Sequence, residues 1–133
     1  MNIYQTQAQL FKVLMHPTRL AILDVLRDSE QCVCHMEAMF GLRQAHISQH
    51  LMVLRDAGLV VDRRDGWNIF YRVAQPEIYR VIDAASTLLG ISASEPALDS
   101  RHAAHACPCP KCNAGSSPDQ IEAPIPDLVA AEK

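Results

Sequence analysis

At 133 residues, nearly half of them apolar, the chain is one domain's worth of sequence with room for an appendage. No apolar run approaches the ~20 residues needed to span a bilayer, and the opening MNIYQTQAQLFK lacks the basic patch and apolar stretch of a signal peptide, so the expectation is a cytoplasmic protein with no membrane partner. The net charge of −3 comes entirely from residues 92–133, with three basic and six acidic residues; residues 1–91 balance nine against nine.

In chain order, Leu10, Val13 and Leu14 mark a short first helix. His16-Pro17-Thr18 opens a second, with Pro17 near the first turn, where a missing N–H costs little; Ile22, Leu23 and Leu26 form its buried stripe. QCVCHMEAMF (31–40) then sets two cysteines one residue apart ahead of a brief third helix, around Cys34–Phe40 and ended by Gly41. A fourth helix runs roughly from Gln44 to Ala57, with Ile47, Leu51 and Leu54 inward at i, i+4 and i+7. Its opposite face carries Gln44, His46, Gln49 and His50, and Gly58 terminates it. LVVDRRDGWNIFYRV reads as a hairpin turning at Asp65-Gly66. A last helix, Pro76 to Leu89, places Ile78, Val81, Ile82, Ala85 and Leu89 on one face. Near Gly90 the composition changes: six of the eight prolines lie beyond it, in a segment not expected to bury a core of its own. The organisation expected is therefore a domain over 1–91 and a flexible C-terminal tail over 92–133 with the pattern Cys-x-Cys-x-x-Cys.

Helices followed by a two-stranded hairpin make a mainly α winged helix-turn-helix, the third and fourth helices being joined by FGLRQ. Short polar side chains on the fourth helix are what a major groove requires of a helix that reads base edges. The hairpin arginines beside it can reach phosphate. Residues 43–72 hold five arginines against three aspartates, a modest basic bias consistent with nucleic acid. A short helix, a glycine and an amphipathic helix also occur in many all-α proteins, so the pattern alone leaves both readings open.

The segments VLMHPTRLAILDVL (13–26), CVCHM (32–36), ISQHLMVLRDAGLV (47–60) and RRDGWNIFYRV (63–73) together resemble the ArsR–SmtB family of metal-sensing bacterial repressors. The likeness spans about residues 5–90. It implies a homodimer, built on the first and last helices, that binds a palindromic double-stranded operator and is released by metal. It implies no enzymatic activity and no small-molecule substrate. By the same resemblance Ser48 and His50 fall on the recognition-helix signature and Arg63 and Arg64 on the wing; with Arg43, Gln44, His46 and Gln49 they form the expected DNA-binding set. The family's thiolate sensors carry Cys-Val-Cys-Asp where Cys32-Val33-Cys34-His35 stands here, and Glu37 occupies the place of a third cysteine found in many arsenic sensors. The family's other site, on the last helix, has no counterpart in PEIYRVIDAASTLLG.

The chemistry of the cysteines follows from their spacing. In a regular helix, residues i and i+2 point about 200° apart, so Cys32 and Cys34 converge only if Cys32 lies at or before the helix start. A helix N-terminus also favours thiolate. In a reducing compartment such thiols point to metal or redox chemistry rather than a structural disulfide. Thiolates select soft ions: Cd(II), Pb(II), As(III), with Zn(II) also admissible. Two sulfurs do not close a site, so Cys107, Cys109 and Cys112 of the tail are expected to complete it, with His102 and His105 nearby. The competing reading is a thiol-redox or persulfide-sensing repressor of the same fold. An oxidoreductase built on Cys109-Pro-Lys-Cys112 lacks the βαβ setting such a motif requires.

Overall fold

A computed structural model describes residues 1–91. Its elements are α1 (Ile3–Leu14), α2 (Pro17–Val25), β1 (Gln31–Cys32), α3 (Val33–Phe40), α4 (Gln44–Asp56), β2 (Val60–Asp65), β3 (Asn68–Val73) and α5 (Ile78–Leu89). This is the expected winged helix-turn-helix, with one strand added. The tail cysteines Cys107, Cys109 and Cys112, with His102 and His105, lie outside the described residues.

Local chemistry explains most of the boundaries. A capping box starts α1 well before its apolar positions: the Asn2 side chain accepts from the Gln5 N–H at 2.8 Å and the Gln5 side chain accepts from the Asn2 N–H at 3.0 Å. The first helix is thus longer than the stripe of Leu10, Val13 and Leu14 suggests. His16 caps α2 by accepting the Thr18 N–H on Nδ1 at 3.1 Å, and Pro17 follows in the first turn. α3 ends on Gly41, left-handed at φ 67°. α5 begins at Ile78 rather than Pro76, because residues 75–77 form tighter turns, with the Ile78 N–H donating to the Gln75 carbonyl.

The three antiparallel strands run in the order β1-β3-β2. Asp65 pairs with Asn68, so the two-residue loop is Gly66-Trp67 and not Asp65-Gly66. Gly66 has φ 61° while no non-glycine residue described has positive φ, the combination found in a type II′ hairpin turn. β1 carries no sequence signal, because two residues are too few to show a period. Gln31 pairs with Tyr71 and Cys32 with Phe70, tying the front of α3 to the hairpin.

The core lies between α2, α3, α4 and the base of the hairpin. Ile22, Leu23, Met36, Phe40, Ile47 and Leu51 are among its fully buried members, each contributing about 1.5–3 kcal/mol by transfer from water. The apolar stripes read from α2 and α4 are the ones buried. On α5 only Ile78 is buried; Val81 and Ile82 are half-buried, and Ala85 and Leu89 are exposed.

Candidate DNA-binding face and thiol site

α4 buries Ile47, Leu51 and Leu54 against α2 and α3. That leaves Gln44, His46 and Gln49 exposed and Ser48 half-buried, with Arg43 exposed just before the helix. No side chain caps this N-terminus and no acidic residue sits in its first turn. Its free N–H groups and positive dipole end therefore suit a phosphate.

His50 departs from the expected polar face. It is buried, its ring centroid 4.2 Å from that of His16, and its Nδ1 accepts from Arg19 Nε at 3.3 Å. The same Arg19 donates to the carbonyls of Lys12 (3.4 Å) and Val13 (3.1 Å) at the end of α1. The reason is helical geometry: His50 is three residues after Ile47 and four before Leu54, on the flank of the apolar stripe. His50 thus joins α4 to α2 and, through Arg19, to α1.

The hairpin arginines also divide. Arg63 Nε donates to both Glu30 carboxylate oxygens at 3.1 and 2.9 Å, its terminal nitrogen also pairs with Glu30, and its guanidinium lies 4.6 Å over the Phe70 ring. The bond to Glu30 raises its affinity for its proton above the ordinary value. Arg64, one residue on, is exposed.

Cys32 is the N-cap of α3, extended at φ −82° and ψ 159°, and its Sγ accepts from the His35 N–H at 3.2 Å. This is the conformation the sequence requires if the two sulfurs are to meet. They do meet: a disulfide joins Cys32 to Cys34, with Cα atoms 5.3 Å apart. Residues at i and i+2 can close this bond because the first lies outside the helix. Cys32 is 2% exposed and packs on Phe70 of β3, with half-buried Cys34 and Ala38 beside it. Among the described residues no group of three or more His, Cys, Asp or Glu is placed to hold a metal ion. Once reduced, Cys32 and Cys34 fit part of a soft-ion site, supplying two thiolate sulfurs.

Exposed apolar residues also lie on or just beyond the first and last helices. Tyr4, Phe11 and Met15 at one end of the sequence, and Leu88, Leu89 and Ile91 at the other, are exposed. No helix among the described residues is long and apolar enough to cross a membrane.

Comparison with known proteins places this geometry. Residues 16–61 match the family described as bacterial regulatory protein, arsR family. The HTH-type transcriptional regulator Rv0081 of Mycobacterium tuberculosis is 38% identical over 88 residues, which are 65% of this chain and 77% of that one. The chain belongs to the ArsR family. The crystal structure of Rv0081 superposes with a TM-score of 0.62 at 36% identity, covering 68% of this chain and 91% of that one. The biofilm growth-associated repressor of Agrobacterium fabrum is 44% identical over 77 residues (58% of this chain, 66% of that one). The arsenic resistance transcriptional regulator ArsR1 of Pseudomonas putida is 41% identical over 75 residues (56% and 58%). The solution structure of Mb0332 from Mycobacterium bovis, described as a homodimeric winged helix-turn-helix DNA-binding domain, has a TM-score of 0.59 at 28% identity and covers 66% of this chain and 82% of that fragment. This ArsR-family protein is accordingly a DNA-binding transcriptional regulator and not an enzyme.

Proposed function

We propose that this repressor binds a palindromic operator as a homodimer and leaves it when a soft metal or metalloid, As(III), Cd(II) or Pb(II), is held by Cys32 and Cys34 together with tail cysteines from among Cys107, Cys109 and Cys112. The observation that carries the reading is the meeting of the Cys32 and Cys34 sulfurs at the N-cap of α3. Three sulfurs suit As(III) or Pb(II), and four suit Cd(II). The relatedness to an arsenic resistance regulator supports the same class of inducer. Arg43, Gln44, His46, Ser48 and Gln49 contact the operator from α4, and Arg64 from the wing. The exposed apolar residues of α1 and α5 form the dimer contact.

Coupling follows from what Cys32 touches. α3 packs on α4, and Cys32 pairs with Phe70 of β3, so a change in the Cys32 backbone acts on the recognition helix and on the wing together. For the inducer to release DNA, it must bind the DNA-free form better, and DNA must weaken inducer binding by the same factor. Roughly 1–3 kcal/mol of coupling is typical of such switches.

The disulfide favours a second reading, in which oxidation is the signal. The two thiols would lose two electrons and two protons to an oxidant and form the S–S bond. Ultraviolet absorption of reduced protein separates the two. A thiolate-to-ion charge-transfer band that grows to a stoichiometric end point, in step with release of labelled DNA, supports the metal reading. Release by oxidant alone, with no such band, assigns the pair to redox sensing.

A further inference from the structure

We infer that Trp67 is a DNA-contacting residue that enters the operator's minor groove from the tip of the wing; the inference rests on the reading of the protein as an operator-binding repressor. Trp67 is the chain's single tryptophan, and at 102% relative exposure no part of the described fold covers it. It occupies the second position of the two-residue turn, beside a glycine whose missing Cβ would meet nothing within 4 Å. β1 pairs with the hairpin only at Phe70 and Tyr71, so the Arg64–Ile69 and Asp65–Asn68 pairs carry the tip past the end of β1. Neither the turn nor the core requires an indole there.

Charge identifies the occupant. Arg63 is engaged by Glu30 and lies 3.9 Å from Asp65, the one carboxylate of the tip, which offsets that negative charge. Arg64 stands exposed beside the turn as a cation for phosphate. A flat apolar side chain next to a cation, at the end of a narrow two-stranded finger, suits a groove walled by sugars and edged by phosphates. Apolar wedges in the minor groove partly unstack flexible base steps and bend the duplex. Trp67 would thereby bias binding toward operators with a deformable step under the wing.

The single indole supplies its own readout. Reduced, ion-free full-length protein is titrated with an unlabelled duplex from upstream of its own gene, following tryptophan emission and its quenching by acrylamide. A labelled copy of the duplex reports binding by anisotropy, and Trp67→Ala and Trp67→Phe are run in parallel. The expected result is an indole open to acrylamide in free protein and shielded in the complex. Trp67→Ala should bind roughly tenfold more weakly or worse, as for loss of one aromatic contact with nucleic acid, with unchanged circular dichroism, and Trp67→Phe should retain part of the affinity. Binding by anisotropy with the indole still open to acrylamide and Trp67→Ala unimpaired overturns the inference and leaves the repressor reading standing. An indole already shielded without DNA assigns Trp67 to a protein contact and overturns it as well. Absence of binding to any duplex overturns both.

Discussion

His46 and His50 lie four residues apart on α4, yet they meet different surroundings: His46 is exposed, and His50 is buried against His16 and Arg19. His46→Ala should weaken operator binding while leaving urea unfolding unchanged. His50→Ala should lower unfolding free energy by about 1–3 kcal/mol, since it removes a buried ring and the acceptor of Arg19 Nε. The same cost for both in unfolding would show that α4 is oriented otherwise. Sequence period placed Ile47, Leu51 and Leu54 correctly because apolar residues report their own burial. A histidine on the flank of the stripe gives no such report; its partners come from residues 16 and 19, which one-dimensional spacing cannot bring near. Cys32 and Cys34 were legible for the opposite reason. A regular helix would turn the two about 200° apart, so beside a helix contact requires Cys32 to lie at or before its start, and that is where it lies.

Among the elements, β1 ties the front of α3 to the hairpin and α5 is tied to α2. Glu30 and Arg63 bridge the segment before β1 to β2, and the pair is open to solvent, which screens it, so Arg63→Ala should leave stability nearly unchanged. The change should nonetheless reduce the inducer's effect on DNA affinity, measured as the ratio of dissociation constants with and without ion; an unchanged ratio would remove the wing from the coupling. α5 is held to α2 by the Tyr79 hydroxyl, which donates to the Leu23 carbonyl at 2.6 Å, and by Arg27 on Asp83 at 2.9 and 3.1 Å. Burial pushes the Tyr79 hydroxyl from its ordinary 10.0 up to about 12. Folding therefore favours its protonated form: the contribution is complete below pH 10 and is lost as pH rises toward 12. Urea unfolding across this range should show a fall in stability that Tyr79→Phe flattens, at a cost of about 1 kcal/mol near neutrality. The hairpin was readable from its alternation and turn glycine, whereas β1 became visible only once β3 was there to pair with it.

In the whole molecule, the exposed Leu88 and Leu89 of α5 and Phe11 and Met15 near the end of α1 are the proposed contact with a second copy. Leu89→Asp should shift sedimentation toward a monomer and reduce operator affinity by more than an order of magnitude, because two linked half-site readers gain from effective concentration. Whether Cys32 and Cys34 control DNA affinity, as proposed, can be read by fluorescence anisotropy. A labelled duplex from upstream of the gene is titrated with reduced wild-type and Cys32→Ser protein, each with As(III), Cd(II) or Pb(II) added separately. Tight binding is expected of both proteins, with release by at least one ion from the wild type alone. Equal release of Cys32→Ser by the same ion would contradict it.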